Sequence, residues 1–101
     1  MQASEREKYD RQLAETAETR IDFIQCEIDA ALTFLQLAKT EAVVNDLNGA
    51  REALNKAGIA YEEANKHLAW AREDDPEKAA SFQDQLTALA AKLTATQRLF
   101  G

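Results

Sequence analysis

Little in this chain interrupts or staples a fold. It has one cysteine, Cys26, so no disulfide can close within it and a disulfide-stapled secreted scaffold is excluded. One proline and three glycines across 101 residues leave few points at which a helix must stop. No apolar run approaches the roughly 20 residues that a membrane span requires. The opening stretch, Met1 to Lys8, is polar and lacks the apolar centre of a signal peptide. A cytoplasmic location is therefore expected, and a secreted chain stripped of its signal would read the same way. Positive charge is also scarce: 12 Lys and Arg stand against 18 Asp and Glu, for a net charge of −6. The acids are interspersed almost everywhere, so neither nucleic acid nor an anionic membrane is an expected partner.

The usual carriers of chemistry are missing too. The chain has no glycine-rich phosphate loop, nucleophile elbow, zinc-ligand cluster or calcium loop. With one histidine, His67, and alanine at position 64, it cannot supply the paired Glu-x-x-His motifs of a di-iron bundle. Histidine phosphotransfer would want a basic residue just downstream, and Leu68-Ala69-Trp70-Ala71 follows instead. The acids Glu62, Glu63, Glu73, Asp74 and Asp75 read as a solvated face. No enzymatic activity, cofactor, metal or small-molecule substrate is expected.

What is present is helical periodicity. The hydrophobic fraction is 46% and the charged fraction 30%, as in a folded chain rather than a disordered one. Two strong breaks, at Asn45 to Gly49 and at Asp74-Asp75-Pro76, predict three helices over about 4–44, 47–73 and 76–100. Asp46 and Asp75 are placed to cap the second and third, Pro76 suits a first helical position, and Ser4 with Glu7 reads as a capping box for the first. Apolar residues recur at alternating spacings of three and four. The first seam is Ala14, Ala17, Ile21, Ile24, Ile28, Ala31, Leu35, Ala38 and Ala42. The second is Leu47, Ala50, Leu54, Ala57, Tyr61, Ala64, Leu68 and Ala71. The third is Ala79, Phe82, Leu86, Leu89, Leu93, Thr96 and Phe100. This is the pattern of near-parallel, left-handed packing. The expectation is an all-α, single-domain protein spanning 1–101: a three-helix antiparallel up-down-up bundle. A helix 1 that long would overhang the other two with its largely polar segment Glu5 to Thr19, where Tyr9 and Leu13 are the large apolar groups. Gly58 stands inside helix 2, where it should cost about 1 kcal/mol relative to Ala, and a close helix contact would explain it.

Helix 1 carries a second stripe that the first seam leaves unexplained. Phe23, Cys26, Ala30, Thr33 and Leu37 lie nearly opposite that seam, flanked by Phe34. A helix apolar on two faces is expected to be covered on both. Helices 2 and 3 could each take one face, two copies of helix 1 could pack across a two-fold axis, or the stripe could receive a foreign helix. Off the second seam, Ile59 and Trp70 point to similar sides, as edge cover or as binding anchors. Cys26 reads as a packing residue, since Glu27 and Asp29 beside it disfavour a reactive thiolate. Glu63 and His67, one turn apart, read as a solvated pair, with half of a metal site as the sharper alternative.

From Phe34 to about Glu62 the chain resembles one tetratricopeptide repeat. Phe34, Leu37-Ala38, the turn Asn45-Asp46-Leu47, and then Ala50, Leu54 and Ala57 hold that register. Glu41 replaces the aromatic usual on the first helix of such a repeat, Glu62 stands where a helix-ending proline would be, and no second copy is found. The resemblance implies a tetratricopeptide-like hairpin rather than a repeat array. A hairpin closed by a third helix is also similar in plan to the microtubule-interacting-and-trafficking domain, which implies peptide binding. The functional expectation is a protein-interaction module, self-associating through helix 1 as a homodimer or binding another helical protein or peptide, with Phe23, Cys26, Ala30, Phe34 and Leu37 at the interface. The other readings are an accessory subunit whose only ligand is its own dimer, and a metal-binding protein using Glu63 and His67.

Overall fold

The alanine-rich second seam governs how the helices meet. In the computed structural model α1 runs Gln2–Val43, α2 Leu47–Asp74 and α3 Pro76–Phe100, and no strand occurs among the described residues. The structure describes the backbone from Gln2 to Phe100 and side-chain surroundings from Thr19 to Phe100. The expectations for Tyr9, Leu13, Ala14, Ala17 and the overhanging segment lie outside the described residues. Because α1 already includes residues 2 and 3, Ser4 is not its cap, and the capping-box expectation is corrected.

All three helices contribute to one core and pack as a bundle. Ile24, Ile28, Ala31 and Leu35 of α1 meet Ala57, Ala60, Ala64, Leu68 and Ala71 of α2, and Ala79, Phe82, Leu86, Leu89 and Leu93 of α3 close it. Among the described residues the first and third seams are buried where expected, with Ile21, Ala42 and Phe100 half-buried at their ends. The second seam is rotated. Ala53 and Ala60 are buried in place of Leu54 and Tyr61, which are half-buried, and Leu47 is exposed. Buried α2 therefore consists of alanines and Leu68. Small residues at a seam let helix axes come close, and the bulk needed to fill the core comes from α1 and α3.

The two turns are sharp and capped by side chains. Asn45 adopts a left-handed φ of 64°. Its N–H donates to the Ala42 carbonyl at 3.0 Å and the Asp46 N–H to the Glu41 carbonyl at 2.8 Å, closing α1 in a Schellman motif with asparagine in the position glycine often takes. Asp46 then caps α2 by accepting from the Gly49 N–H at 2.9 Å. A Cβ on Gly49 would lie 2.6 Å from that same carboxylate, so a glycine is what lets the cap close this tightly. At the other turn one residue does two jobs. The Asp75 N–H donates to the Ala71 carbonyl at 2.7 Å, ending α2, and its carboxylate accepts from the Lys78 N–H at 3.1 Å, starting α3. Pro76 follows as the first residue of α3, where its missing N–H costs nothing.

Among the described residues buried polar side chains are satisfied: Thr96, 2% exposed, donates from Oγ1 to the Lys92 carbonyl at 2.8 Å. At the first turn a hydrogen bond with the Asp46 side chain, helped by partial desolvation and by Asp46's charge, raises the Glu41 carboxyl above its ordinary 4.5. The folded state thus holds this proton more tightly than the unfolded chain. The stability it contributes is full below about pH 4.5 and lost as pH rises through the raised value.

Two outcomes follow. Leu86→Ala, at a site 1% exposed, should lower unfolding free energy by about 2–5 kcal/mol in urea titration, mainly through the cavity left behind. Glu41→Gln should raise stability at neutral pH and lose that advantage on acidification towards 4.5, read as the difference in urea midpoint from wild type across that range. A difference independent of pH would mean the carboxyl pair is not formed.

Candidate functional site

Helix α1 presents its second stripe to the outside, and the structure divides that stripe in two. Phe23 and Phe34 turn towards α2. The Phe23 ring lies 4.5 Å from the His67 ring, centroid to centroid. Phe34 is half-buried against the core, with the Lys56 ammonium 5.9 Å from its ring centroid. Ala30 is half-buried and packs against the core beside Phe34, while Cys26 and Thr33 are exposed and Leu37 is 42% exposed. Helices α2 and α3 do not cover this face between them, because α2 sits to one side of α1 and reaches only the phenylalanine edge. The acids Asp22 and Asp29 are exposed along the opposite edge of the stripe. Gln25 donates to Asp29 at 3.0 Å, and the Thr33 hydroxyl donates to the Asp29 carbonyl at 3.0 Å, so these groups are ordered along the helix itself.

Beside Phe23 lies an aromatic cluster spanning α1 and α2. His67 is half-buried, with the Trp70 ring edge-on at 4.8 Å. The Arg20 guanidinium stands 5.1 Å from the Trp70 centroid and 3.8 Å from the Asp74 carboxylate. Trp70 is 47% exposed, so it covers the edge of the bundle with one face and meets solvent with the other. His67 Nδ1 lies 2.8 Å from the Glu63 backbone carbonyl. A carbonyl can only accept, so Nδ1 carries the proton and the neutral ring keeps Nε2 as its acceptor. The Glu63 carboxylate instead takes a hydrogen bond and ion pair from Lys66 at 3.3 Å. The carboxylate–imidazole pair considered from the sequence is therefore not the contact made. Among the described residues no group of three or more His, Cys, Asp or Glu could hold a metal ion.

Two grooves lie on the surface of the described residues. One, about 240 Å³, runs between Ile21, Asp22 and Gln25 of α1 and Lys78, Phe82 and Gln85 of α3. The other, about 420 Å³, lies along the outer side of α2, with Gln97 of α3 as its far wall. Ile59 opens onto the second groove and is 52% exposed. An added Cβ on Gly58, in the same groove, would meet nothing within 4 Å, so no close intramolecular helix contact explains that glycine. Sequence reading singled out Gly58 and Ile59 separately. That they belong to one surface was signalled only by their adjacency off the seam. No helix among the described residues is long and apolar enough to cross a membrane.

Comparison with protein-family models, with curated proteins and with solved structures yields no match.

Nitrogen NMR of the protein with the His67 ring in its neutral form should show the proton on Nδ1 and none on Nε2, the rarer tautomer of a free imidazole. The reverse assignment would mean that the bond to the Glu63 carbonyl is not made.

Proposed function

We propose that this chain is a protein-interaction module that receives an amphipathic helix of another protein on the outer face of α1, and that it has no catalytic role. One observation carries the reading: Cys26, Thr33 and Leu37 form a stripe at helical spacing that the chain's own helices leave open, with half-buried Ala30 between them. A stripe of this kind takes a partner's residues at i, i+3, i+4 and i+7. Phe23 and Phe34 supply its partly covered wall. The tetratricopeptide-like string from Phe34 to Glu62 falls on the α1–α2 hairpin that frames the stripe, which agrees with a scaffold for peptide or helix binding.

The charges favour a foreign helix over a second copy at this face. A two-fold contact centred on the stripe would set the acidic edge of one copy, Asp22 and Asp29, beside the same edge of the other, and like charges meeting across an interface are costly. A partner helix with basic residues beside its apolar ones would find Asp22 and Asp29 exposed on the rim. Neither Glu63 nor His67 is assigned a metal, since among the described residues no further His, Cys, Asp or Glu joins them to make a group of three.

Leu37→Glu separates an interface from a core. It should change unfolding free energy by no more than about 0.5 kcal/mol, as at an ordinary surface site. Leu35→Glu, two residues away and 3% exposed, should unfold the protein. In affinity capture, proteins retained by the wild type through this face should be lost with Leu37→Glu. A variant that unfolds, or that retains the same proteins, would sink the proposal.

A further inference from the structure

We infer that the outer groove of α2 is a homotypic interface: a second copy of this chain docks there, antiparallel, about a two-fold axis at the level between Lys56 and Ala57. This surface is built from α2 and α3 and does not include the outer face of α1, so the inference stands apart from the function proposed above.

The groove is lined on α2 by Arg51, Leu54, Asn55, Gly58, Ile59 and Glu62. These positions are symmetric about the midpoint between residues 56 and 57. In an antiparallel two-fold contact between identical helices, residues equidistant from the axis lie at the same level, and those near the centre line of the face meet, each pair occurring twice. Arg51 then meets Glu62 of the other copy, and Asn55 packs beside Gly58. The outer pair joins opposite charges, and the central pair is small enough for a close approach. Leu54 and Ile59, about 140° apart around the helix, flank the contact on opposite sides. The face is thus complementary to itself when reversed, in charge and in size.

Three facts about the single chain agree with this occupant. Gly58 sits mid-helix, and an added Cβ would meet nothing, so the glycine's conformational cost is not offset by intramolecular packing. A backbone approaching from outside would offset it. Ile59 leaves half its surface in water beside that glycine. Arg51 and Glu62 form no ion pair or side-chain hydrogen bond among the described residues, although Lys56 with Glu52 and Lys66 with Glu63 do on the same helix. Both charges are therefore available to the other copy, at the rim where they set register and orientation. A near-antiparallel crossing of about 20° keeps these pairs within reach.

The test is charge reversal followed by mixing, with association read by sedimentation equilibrium from about 1 µM to 1 mM, the span of weak to moderate affinity. The wild type should associate to a dimer. Arg51→Glu places Glu opposite Glu, and Glu62→Arg places Arg opposite Arg. Each alone should weaken self-association at least about tenfold with helicity unchanged by circular dichroism. An equimolar mixture of the two variants should form a heterodimer as tight as the wild-type dimer, because every rim pair is then opposite in charge. The double variant Arg51→Glu/Glu62→Arg should likewise dimerise. Leu37→Glu should leave dimerisation unchanged. A wild type that stays monomeric throughout, single variants that associate normally, a mixture that does not recover, or dimerisation lost with Leu37→Glu would each overturn the inference.

Discussion

The packing of α2 is made with alanine, and the rest of the architecture answers to that. Along its buried side run Ala50, Ala53, Ala57, Ala60, Ala64 and Ala71, with Leu68 as the one large side chain. An alanine removes little apolar surface from water, so such a seam stabilises only if the neighbouring backbones come close and the facing helices bring bulk. Ile24, Ile28 and Leu35 from α1 and Phe82, Leu86, Leu89 and Leu93 from α3 do so. A core this thin holds only what points directly into it. Residues a quarter turn away, such as Leu54, Tyr61 and Phe34, end half-buried, and those further round end outside. The exposed apolar surfaces are thus a consequence of the seam.

Close approach also places a demand on the turns. The α2–α3 connection has Asp75 alone between two helices, and that residue closes one through its N–H and caps the next through its carboxylate. A longer, slacker connection would let α3 drift away from an alanine seam that has no long side chains to follow it. The α1–α2 connection reaches the same end with a left-handed asparagine and a capping aspartate held tightly against Gly49. Its cost is a second carboxyl, Glu41, brought into hydrogen-bonding reach of the cap, so this turn loses stability as pH rises through the raised value. At the opposite end the Arg20–Asp74 ion pair and the Arg20–Trp70 contact tie α1 to the end of α2. Both are partly exposed, so they add orientation more than stability.

The two candidate surfaces differ in kind. The α1 stripe has an acidic edge and no internal symmetry of charge, which suits a partner of different sequence. The α2 groove has a basic and an acidic residue equidistant from its centre, which suits its own copy. Because they lie on different helices, one occupant does not block the other, and a dimer formed through α2 would carry two α1 faces.

Much of this was legible in the chain. The three–four spacing of Ile24, Ile28, Ala31 and Leu35, and of Phe82 through Thr96, names two core faces by itself, because helical period and burial follow directly from side-chain polarity. Asp46, Asp75 and Pro76 announce their turns through hydrogen-bonding chemistry that is local to a few residues. What the tertiary structure alone decided is which of two nearly equivalent stripes faces inward when both are apolar. Leu54 and Ala53 sit one position apart, and the core took the alanine, since only the smaller residue admits the close axis that the neighbouring helices required. For the same reason it decided that Phe23 folds against His67 while Cys26 and Leu37 remain outside. It likewise left Gly58 open, as the sequence could place that glycine on a helix but not say what stands over it.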